Sequence, residues 1–508
     1  MNAASSAVIG LDIGTSVVKG VLIAADGHLV ARAARAQALD IGPGGRVEVD
    51  ARDVAKNARR VISRLAGRAG AAGSHVLAVC SAGSGDEAVW VDEAGVPVAP
   101  VPLSLDTRDA AVGEAIADRV GVDRFRTLTG LPTTGVYPIT RYTALRAARP
   151  DLGARVRRLL AWPEALALDL GVEVNGEPTL AARTGAWRGA TEVAGGRYDD
   201  VLLAAAGASA DLVPPVVPTG TVIGTIPARV AAALGLPANV ALVAGGFDQA
   251  MATLGAGITT SGIAHVGAGS WQALTVLADA RPSVDLVADG FSIGPSIAAA
   301  RRWSLMASGP GTIMLGWLGR IGDGGGDPVR RIVALAGRAA DEPTGLTVVP
   351  DLSGGAPPHP DPLTRGVIAG LGLGDGPERV ARSLLEGVAI GLAERLDRAA
   401  DAGSDVGEIR FTGGGARDPR WRRLTADVTG LPVRAVYPPD AGAVAAAALA
   451  STAVGLAPDV ASALSWSIRI GRPIAPRERH HAAYQVIAQR TSALRWSIAT
   501  VQRTHSDT

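Results

Sequence analysis

One short plan occurs twice in this chain, once in each half. Ile9-Gly10-Leu11-Asp12-Ile13-Gly14-Thr15-Ser16, continuing to Lys19, is the first copy; Ile263-Ala264-His265-Val266-Gly267-Ala268-Gly269-Ser270 is the second. Each reads as an apolar strand, a tight turn of glycine and hydroxyl residues, and another apolar run. Glycine lets the backbone approach a ligand closely, and the bared N–H groups of such a turn form an anion nest. Two nests on two half-chains imply one polyphosphate held between two lobes. The repeat divides the 508 residues near their midpoint, and one core seldom supports more than roughly 250–300 residues. Two domains are expected, covering residues 1–256 and 257–508.

Charge narrows the function further. With 49 basic against 48 acidic residues and a net charge of +1, the chain has no basic field for nucleic acid. Its single cysteine, Cys80, excludes an intramolecular disulfide framework and fits a reducing compartment. No signal-peptide pattern opens the chain. The run Ala441 to Ala457 is small and weakly apolar, and just short of a usual membrane span. A buried helix packed through small residues is expected there. The expected location is the cytoplasm, with neither membrane nor nucleic acid as a partner. Lysine occurs only at Lys19 and Lys56, and its place beside the first turn hints that an ammonium is wanted there.

The patterning is mixed α/β. Val17 to Ile23 and Leu29-Val30 flank the turn dipeptide Asp26-Gly27 as a hairpin. Asp50 caps a helix with Val54, Ala55, Ala58, Val61, Ile62 and Leu65 on one face, expected to end near Gly67. Strand Val76–Cys80 leads into the loop Ser81–Glu87 and strand Val89–Val91. After a largely helical middle, strand Val240–Ala244 runs into Gly245-Gly246-Phe247-Asp248-Gln249-Ala250, which opens a helix to Leu254. The second half repeats the rhythm: the turn at Gly267, helix Pro377–Arg398, strand Glu408–Thr412, then Gly413-Gly414-Gly415 before another helix. An amphipathic helix from about Arg477 closes the chain.

In this order the pieces resemble the FGGY family of carbohydrate kinases, in its xylulokinase-like or polyol-kinase-like branch, within the actin/Hsp70-like ATPase superfamily. The anchors are Leu11 to Ser16 with Lys19, Leu105-Asp106-Thr107-Arg108, Gly246-Phe247-Asp248-Gln249-Ala250 and Gly267-Ala268-Gly269. Arg365-Gly366, Leu385-Glu386-Gly387-Val388, Gly413-Gly414-Gly415-Ala416-Arg417 and Trp421 complete the set. The resemblance implies an α/β fold of two actin-like (ribonuclease H-like) ATPase domains with a deep interdomain cleft. ATP and Mg²⁺ are the implied cofactors and a small sugar or polyol the implied partner. Relatives are often dimers, which makes a homodimer the assembly it suggests.

Phosphoryl transfer needs positioned phosphates, a charge-neutralising metal and a group that takes the hydroxyl proton. Gly14, Thr15, Ser16 and Lys19 are the expected phosphate contacts of the first half, and Gly267, Ala268 and Gly269 those of the second. The plain alternative for each turn is an ordinary hairpin glycine. The resemblance sets Gly413, Gly414, Gly415, Ala416 and Arg417 against the adenosine. Asp12, at the end of an apolar strand, suits a Mg²⁺ that keeps most of its waters; a turn-forming Asp is the alternative. Asp248 is the expected catalytic base and a second metal neighbour, with a simple helix N-cap as the alternative. A helix start is expected to lower its pKa. The resemblance implies sugar contacts at Ser84, Gly85, Asp86 and Gln249, beside Asp248; a carboxylate suits this at Asp86, since it can accept hydrogen bonds from two adjacent hydroxyls, and an exposed loop acid is the alternative. Asp106 and Arg108 either line the sugar pocket or form a local salt bridge. Glu386 is given no chemistry.

Some family positions differ here. Arg141 and Ala144 stand where relatives carry Lys and Trp, Arg379 replaces an acidic or amide residue, and Gly354-Gly355-Ala356-Pro357-Pro358 replaces Gly-Glu-Arg-Thr-Pro. The xylulokinase Met-His-Gly is absent. None of these removes Asp12, Asp248 or the turns. The expected reaction is ATP-dependent phosphorylation of a primary hydroxyl, with a pentulose such as xylulose first. Erythritol, L-xylulose, gluconate and glycerol are alternatives, as are a sugar-binding pseudokinase and a non-catalytic actin-like or chaperone-like ATPase.

Overall fold

The computed structural model describes residues 6–172, 180–181, 189–298, 301–321, 327–352, 354–361 and 363–506. The chain forms two compact units. The first comprises Met1–Thr259, Ile293–Arg302 and Asp440–Arg469; the second comprises Thr260–Ser292, Trp303–Pro439 and Ile470–Thr508.

In the first unit, β1 (Ser6–Ile13) and β2 (Val17–Ala24) form an antiparallel hairpin, and β3 (Leu29–Ala36) continues it. The hairpin closes through the Gly14 N–H donating to the Val17 carbonyl at 3.2 Å. Helix α1 (Ala51–Ala71) is capped by Asp50, which accepts the Arg52 N–H at 2.8 Å, and buries Val54, Ala58, Val61, Ile62 and Leu65. It runs past the expected stop at Gly67. That glycine meets open space, and one exposed glycine costs only about 1 kcal/mol against the packing of the buried stripe.

Strand β4 (His75–Gly83) lies parallel to β1, and β5 (Val89–Val91) follows the loop after it. Helix α2 (Pro138–Ala148) belongs to the helical middle. Strand β6 (Val222–Thr225) then pairs with β7 (Ala241–Phe247), which hands directly to α3 (Asp248–Gly255). The six-stranded sheet runs β6-β7-β4-β1-β2-β3. Parallel β7, β4 and β1 therefore bring Phe247, Gly83 and Ile13 to the same sheet end, since Phe247 pairs with Gly83 and Gly83 with Ile13.

The second unit repeats this order. Strands β8 (Gly262–Ala268) and β9 (Trp271–Ala278) form its hairpin, with β10 (Trp303–Pro310) antiparallel to β9. Helices α4 (Thr312–Ile321) and α5 (Pro377–Asp401) lead to β11 (Val406–Gly413), parallel to β8. After α6 (Pro419–Thr429), β12 (Val433–Tyr437) lies parallel to β11. The central strands run β10-β9-β8-β11-β12, the counterpart of β3-β2-β1-β4-β7. The repeated turn in the sequence is thus a repeated place in a duplicated topology.

Helix α7 (Ala441–Ala453) returns the chain to the first unit and is buried on nearly every side. Its small residues permit contact at backbone distance: a Cβ on Gly10 would stand 2.0 Å from the Ala443 carbonyl oxygen. Among the described residues no helix is long and apolar enough to cross a membrane. Helix α8 (Glu478–Ser506) closes the chain.

Candidate active site

Four carboxyl groups gather at the parallel-strand end of the first unit. Asp12 is the penultimate residue of β1 and the cross-strand partner of Lys19. Asp86 and Glu87 lie in the loop between β4 and β5, and Asp248 opens α3. Asp248 feels all three others. Burial, then Asp12, Glu87 and Asp86, push its carboxyl up to about 8.

The Gln249 N–H, donating to Asp248 Oδ1 at 2.7 Å, acts in the opposite direction. The expected lowering by the helix start is therefore overturned: one N–H does not offset desolvation and three neighbouring acids. Nor is Asp248 the cap. Phe247 holds that position, and the N–H that Asp248 accepts is that of the adjacent residue.

Asp12 is raised chiefly by burial, with Lys19 lowering it and Asp440 raising it. Its Oδ1 is buried without a hydrogen-bond partner. A buried, unpartnered carboxylate oxygen is costly unless something meets it. Among the described residues no group of three or more His, Cys, Asp or Glu is arranged as a metal cage. That combination fits a Mg²⁺ held mainly by water and phosphate, with one carboxylate in reach.

Glu87 was not singled out by the sequence, and it is wholly buried. Its Oε1 accepts the Ser104 N–H at 3.3 Å, while Oε2 has no partner. Burial raises it to about 7; Asp86 adds to this, and Ser84, the Ser104 N–H and Arg141 oppose it. The only signal in the sequence was two adjacent acids after a strand. Ser84 and Gly85 are buried in the same loop, and the Ser84 N–H donates to the Ile13 carbonyl at 3.2 Å. This bond ties the Asp86 loop to the end of β1.

Asp106 and Arg108 form their own ion network. Asp106 accepts from the Val47 N–H at 3.0 Å, from the Arg108 backbone N–H at 3.1 Å and from the Arg108 guanidinium at 2.6 Å. Burial alone would raise its pKa, but Arg108, these N–H groups and Arg141 hold it below the usual range. Arg108 also meets Glu48 at 2.5 Å. The geometry is that of the local salt bridge. Arg141, known from the sequence only as a departure, is buried and donates to Asp109 and to the carbonyls of Leu103 and Asp106. It thereby steadies the segment whose Ser104 N–H holds Glu87.

In the second unit the predicted nucleotide residues come together. Ala268 is the cross-strand partner of Gly413, so the second turn and the triple glycine share one sheet end. The turn is latched by the Gly311 N–H to the Ser270 carbonyl at 3.1 Å and the Thr312 N–H to the Gly269 carbonyl at 3.0 Å. Ala416 is buried in the core beside Trp421, whereas Arg417 is exposed. Glu386 is buried and accepts from Thr344 and Tyr484, the structural role expected of it.

The glycines separate into two kinds. Gly413 has φ +79, and a Cβ there would meet the Ala268 carbonyl oxygen at 2.9 Å; a Cβ on Gly415 would meet the Trp421 ring at 2.8 Å. Those two are demanded by the protein's own packing. Gly14, Gly267 and Gly269 have no left-handed φ, their nearest Cβ contacts being 3.3, 3.8 and 3.4 Å, and Gly414 meets nothing within 4 Å. Nothing in the fold requires glycine at Gly267, Gly269 or Gly414, and Gly14 is only slightly crowded. Their backbone is left open, which suits the close approach of a ligand.

Duplicated sheets with glycine turns at matching ends define an actin-like ATPase architecture, and the acid cluster beside one turn suits phosphoryl transfer. Residues 7–255 match the N-terminal domain, and residues 319–454 the C-terminal domain, of the FGGY family of carbohydrate kinases. The chain belongs to that family, and with it to the ATP-dependent phosphotransferases that act on small sugars and polyols. It is 27% identical over 432 residues to xylulose kinase of Escherichia coli (strain K12), covering 83% of this chain and 84% of the relative. It is 29% identical over 446 residues to glycerol kinase of Thermus brockianus, covering 84% and 86%. The crystal structure of xylulose kinase from Rhodospirillum rubrum superposes with a TM-score of 0.84 at 24% identity, covering 98% of this chain and 100% of that one.

Proposed function

We propose that the protein transfers the terminal phosphoryl group of ATP to a primary hydroxyl of a ketose, with a pentulose such as xylulose the leading substrate. The observation that carries this reading is the convergence of Asp12, Asp86, Glu87 and Asp248 in the first unit, with Asp248 pushed up to about 8. A carboxylate of that basicity is a competent acceptor for the hydroxyl proton at neutral to mildly alkaline pH. Domain roles follow: the N-terminal FGGY domain, residues 1–256, holds the sugar, the metal and the base, and the C-terminal one, residues 257–508, holds the nucleotide.

In this reading Asp248 takes the proton of the attacking hydroxyl, and Gln249 orients Asp248 through its N–H. Ser84, Gly85 and Asp86 hold the neighbouring hydroxyls. Asp12 and Asp248 would hold Mg²⁺, which would supply the positive charge that offsets the phosphates. Gly14, Thr15, Ser16 and Lys19 meet phosphate from the first unit. Gly267, Ala268 and Gly269 do so from the second, with the backbone at Gly414 free for the nucleoside side.

The local salt bridge of Asp106 and Arg108 makes them supports of the sugar loop in this scheme. The acidic pair Asp86–Glu87 disfavours an aldonate such as gluconate by like-charge repulsion. The neutral polyols glycerol and erythritol, and the sugar L-xylulose, form the second reading, favoured by a loop built to accept hydrogen bonds.

A coupled ADP-release screen over ketoses, polyols and aldonates tests the substrate. A pentulose is expected to give the highest kcat/KM, and an aldonate to give none. Asp248→Asn is expected to lower kcat by roughly 10²–10⁴-fold with little change in binding. Full turnover in Asp248→Asn would remove the base assignment, and silence of the wild-type chain toward every compound would favour a pseudokinase.

A further inference from the structure

The second glycine turn is backed by a buried cation. Arg395, on α5, is 1% exposed. Its Nη2 donates at 2.7 Å to Oε1 of Gln272, a wholly buried residue of β9. Gln272 is the direct cross-strand partner of Ala268 on one side and of Gly309 on the other. A Cβ on Gly309 would stand 2.1 Å from Arg395 Nη1, so the guanidinium occupies the place of a side chain. Ala268 leads into the turn at Gly269-Ser270. Just past Gly309, the N–H groups of Gly311 and Thr312 hold the carbonyls of that same turn. Arg395 therefore stands behind both of the strands that shape the turn.

Packing alone does not account for an arginine here. Arg395 Nε and Gln272 Nε2 are buried without hydrogen-bond partners. Burial lowers the guanidinium to about 10, with Glu394 and Asp351 opposing the fall and Arg495 adding to it. Apolar residues of similar volume commonly replace buried charged groups with no loss of stability, and often with a gain. A buried cation held by one neutral acceptor has its rationale in what it does to its surroundings.

We propose that Arg395 is a positioning residue for the nucleotide: through Gln272 it sets the height of the Gly267–Gly269 turn and lends that turn positive potential toward a polyphosphate. This rests on the reading of the turn as a phosphate site. Glu394 and Asp351 temper the field, but the hydrogen bond of the guanidinium goes to Gln272, so Gln272 is the mechanical link and Arg395 its anchor.

The test measures ATP binding to the full chain by titration calorimetry, together with KM for ATP and for the sugar. In the double variant Arg395→Met, Gln272→Met, the Tm is expected to hold or rise. Its Kd and KM for ATP are expected to rise roughly tenfold while the KM for sugar stays put. Gln272→Asn breaks the bond by shortening one side chain, so it keeps the proposal testable if the double variant fails to fold; it should weaken ATP in the same direction. Arg395→Lys keeps the charge and is expected to recover binding to within about threefold of wild type. Wild-type ATP affinity in the double variant or in Gln272→Asn overturns the proposal. If Gly269→Val also leaves ATP binding intact, the reading of the turn itself is what fails.

Discussion

Replacing Glu87 by glutamine should stabilise the protein, and only above a definite pH. Glu87 is buried, and its pKa rises from 4.5 to about 7 in the folded chain. A raised carboxyl pKa means that the folded state prefers the protonated form. Its contribution is fully present below the unfolded value and is lost as pH rises through the folded one. About 2.5 units at 1.36 kcal/mol each gives a limit of about 3 kcal/mol. Glutamine retains an oxygen for the Ser104 N–H and places an amide where Oε2 now has no partner. Urea unfolding of wild type and Glu87→Gln should therefore coincide near pH 4 and diverge by about 3 kcal/mol at pH 8.5 in favour of the variant. Because Glu87 is among the charges that raise Asp248, the acid limb of the pH–rate profile should also move to lower pH. A stability difference that stays flat from pH 5 to 8.5, or that grows toward acid, would refute the reasoning.

Three further perturbations probe other parts of the argument. Gly414→Ala should leave stability within about 0.5 kcal/mol of wild type while weakening ATP, whereas Gly413→Ala, at φ +79, should destabilise the fold by about 1–2 kcal/mol in urea melts. Asp12→Asn should raise the Mg²⁺ concentration needed for half-maximal ADP release without loss of stability, because the neutral amide removes a buried carboxylate; an unchanged Mg²⁺ titration would contradict the metal role. Gly10→Val, with its Cβ forced to within 2.0 Å of the Ala443 carbonyl, should cost more than about 3 kcal/mol or prevent folding, read as loss of a cooperative melt.

What was legible in the sequence was local. A glycine turn between two apolar runs declares a hairpin within a dozen residues, and both hairpins stand where the pattern puts them. Asp50 declared the start of α1, but Gly67 did not stop it, because the buried stripe through Leu65 outweighs one exposed glycine. Burial was not legible. Asp86 and Glu87 are neighbours of the same chemistry, and only the fold distinguishes the half-exposed one from the one wholly enclosed. Long-range contacts were hidden too. The alanine-rich run at 441 announced a buried helix, yet nothing local tells that it lies against Gly10 some 430 residues earlier. Arg141 looked like a lost family position; in the fold it bonds the carbonyls of Leu103 and Asp106, which makes it a support of the segment whose Ser104 N–H holds Glu87.

The two hairpins share a topology but not an electrostatic setting. One residue before the end of its strand, the first unit has Asp12 and the second has Gly267. Around the first turn stand Asp86, Glu87 and Asp248 against one lysine, Lys19; behind the second stands the guanidinium of Arg395. In the proposed scheme a polyphosphate meets repulsion at the first turn once its acids are ionised, unless a cation intervenes, and attraction at the second without one. The duplicated fold therefore divides the labour by charge. In the proposed scheme the second turn recognises nucleotide by itself, and the first becomes a phosphate site once a divalent ion is present. Nucleotide binding without Mg²⁺ should consequently depend on Gly269 and Arg395 and be nearly indifferent to Gly14, and adding Mg²⁺ should make Gly14 matter. Equal sensitivity to both turns in the absence of metal would show that the first turn's acids are screened by something other than the ion.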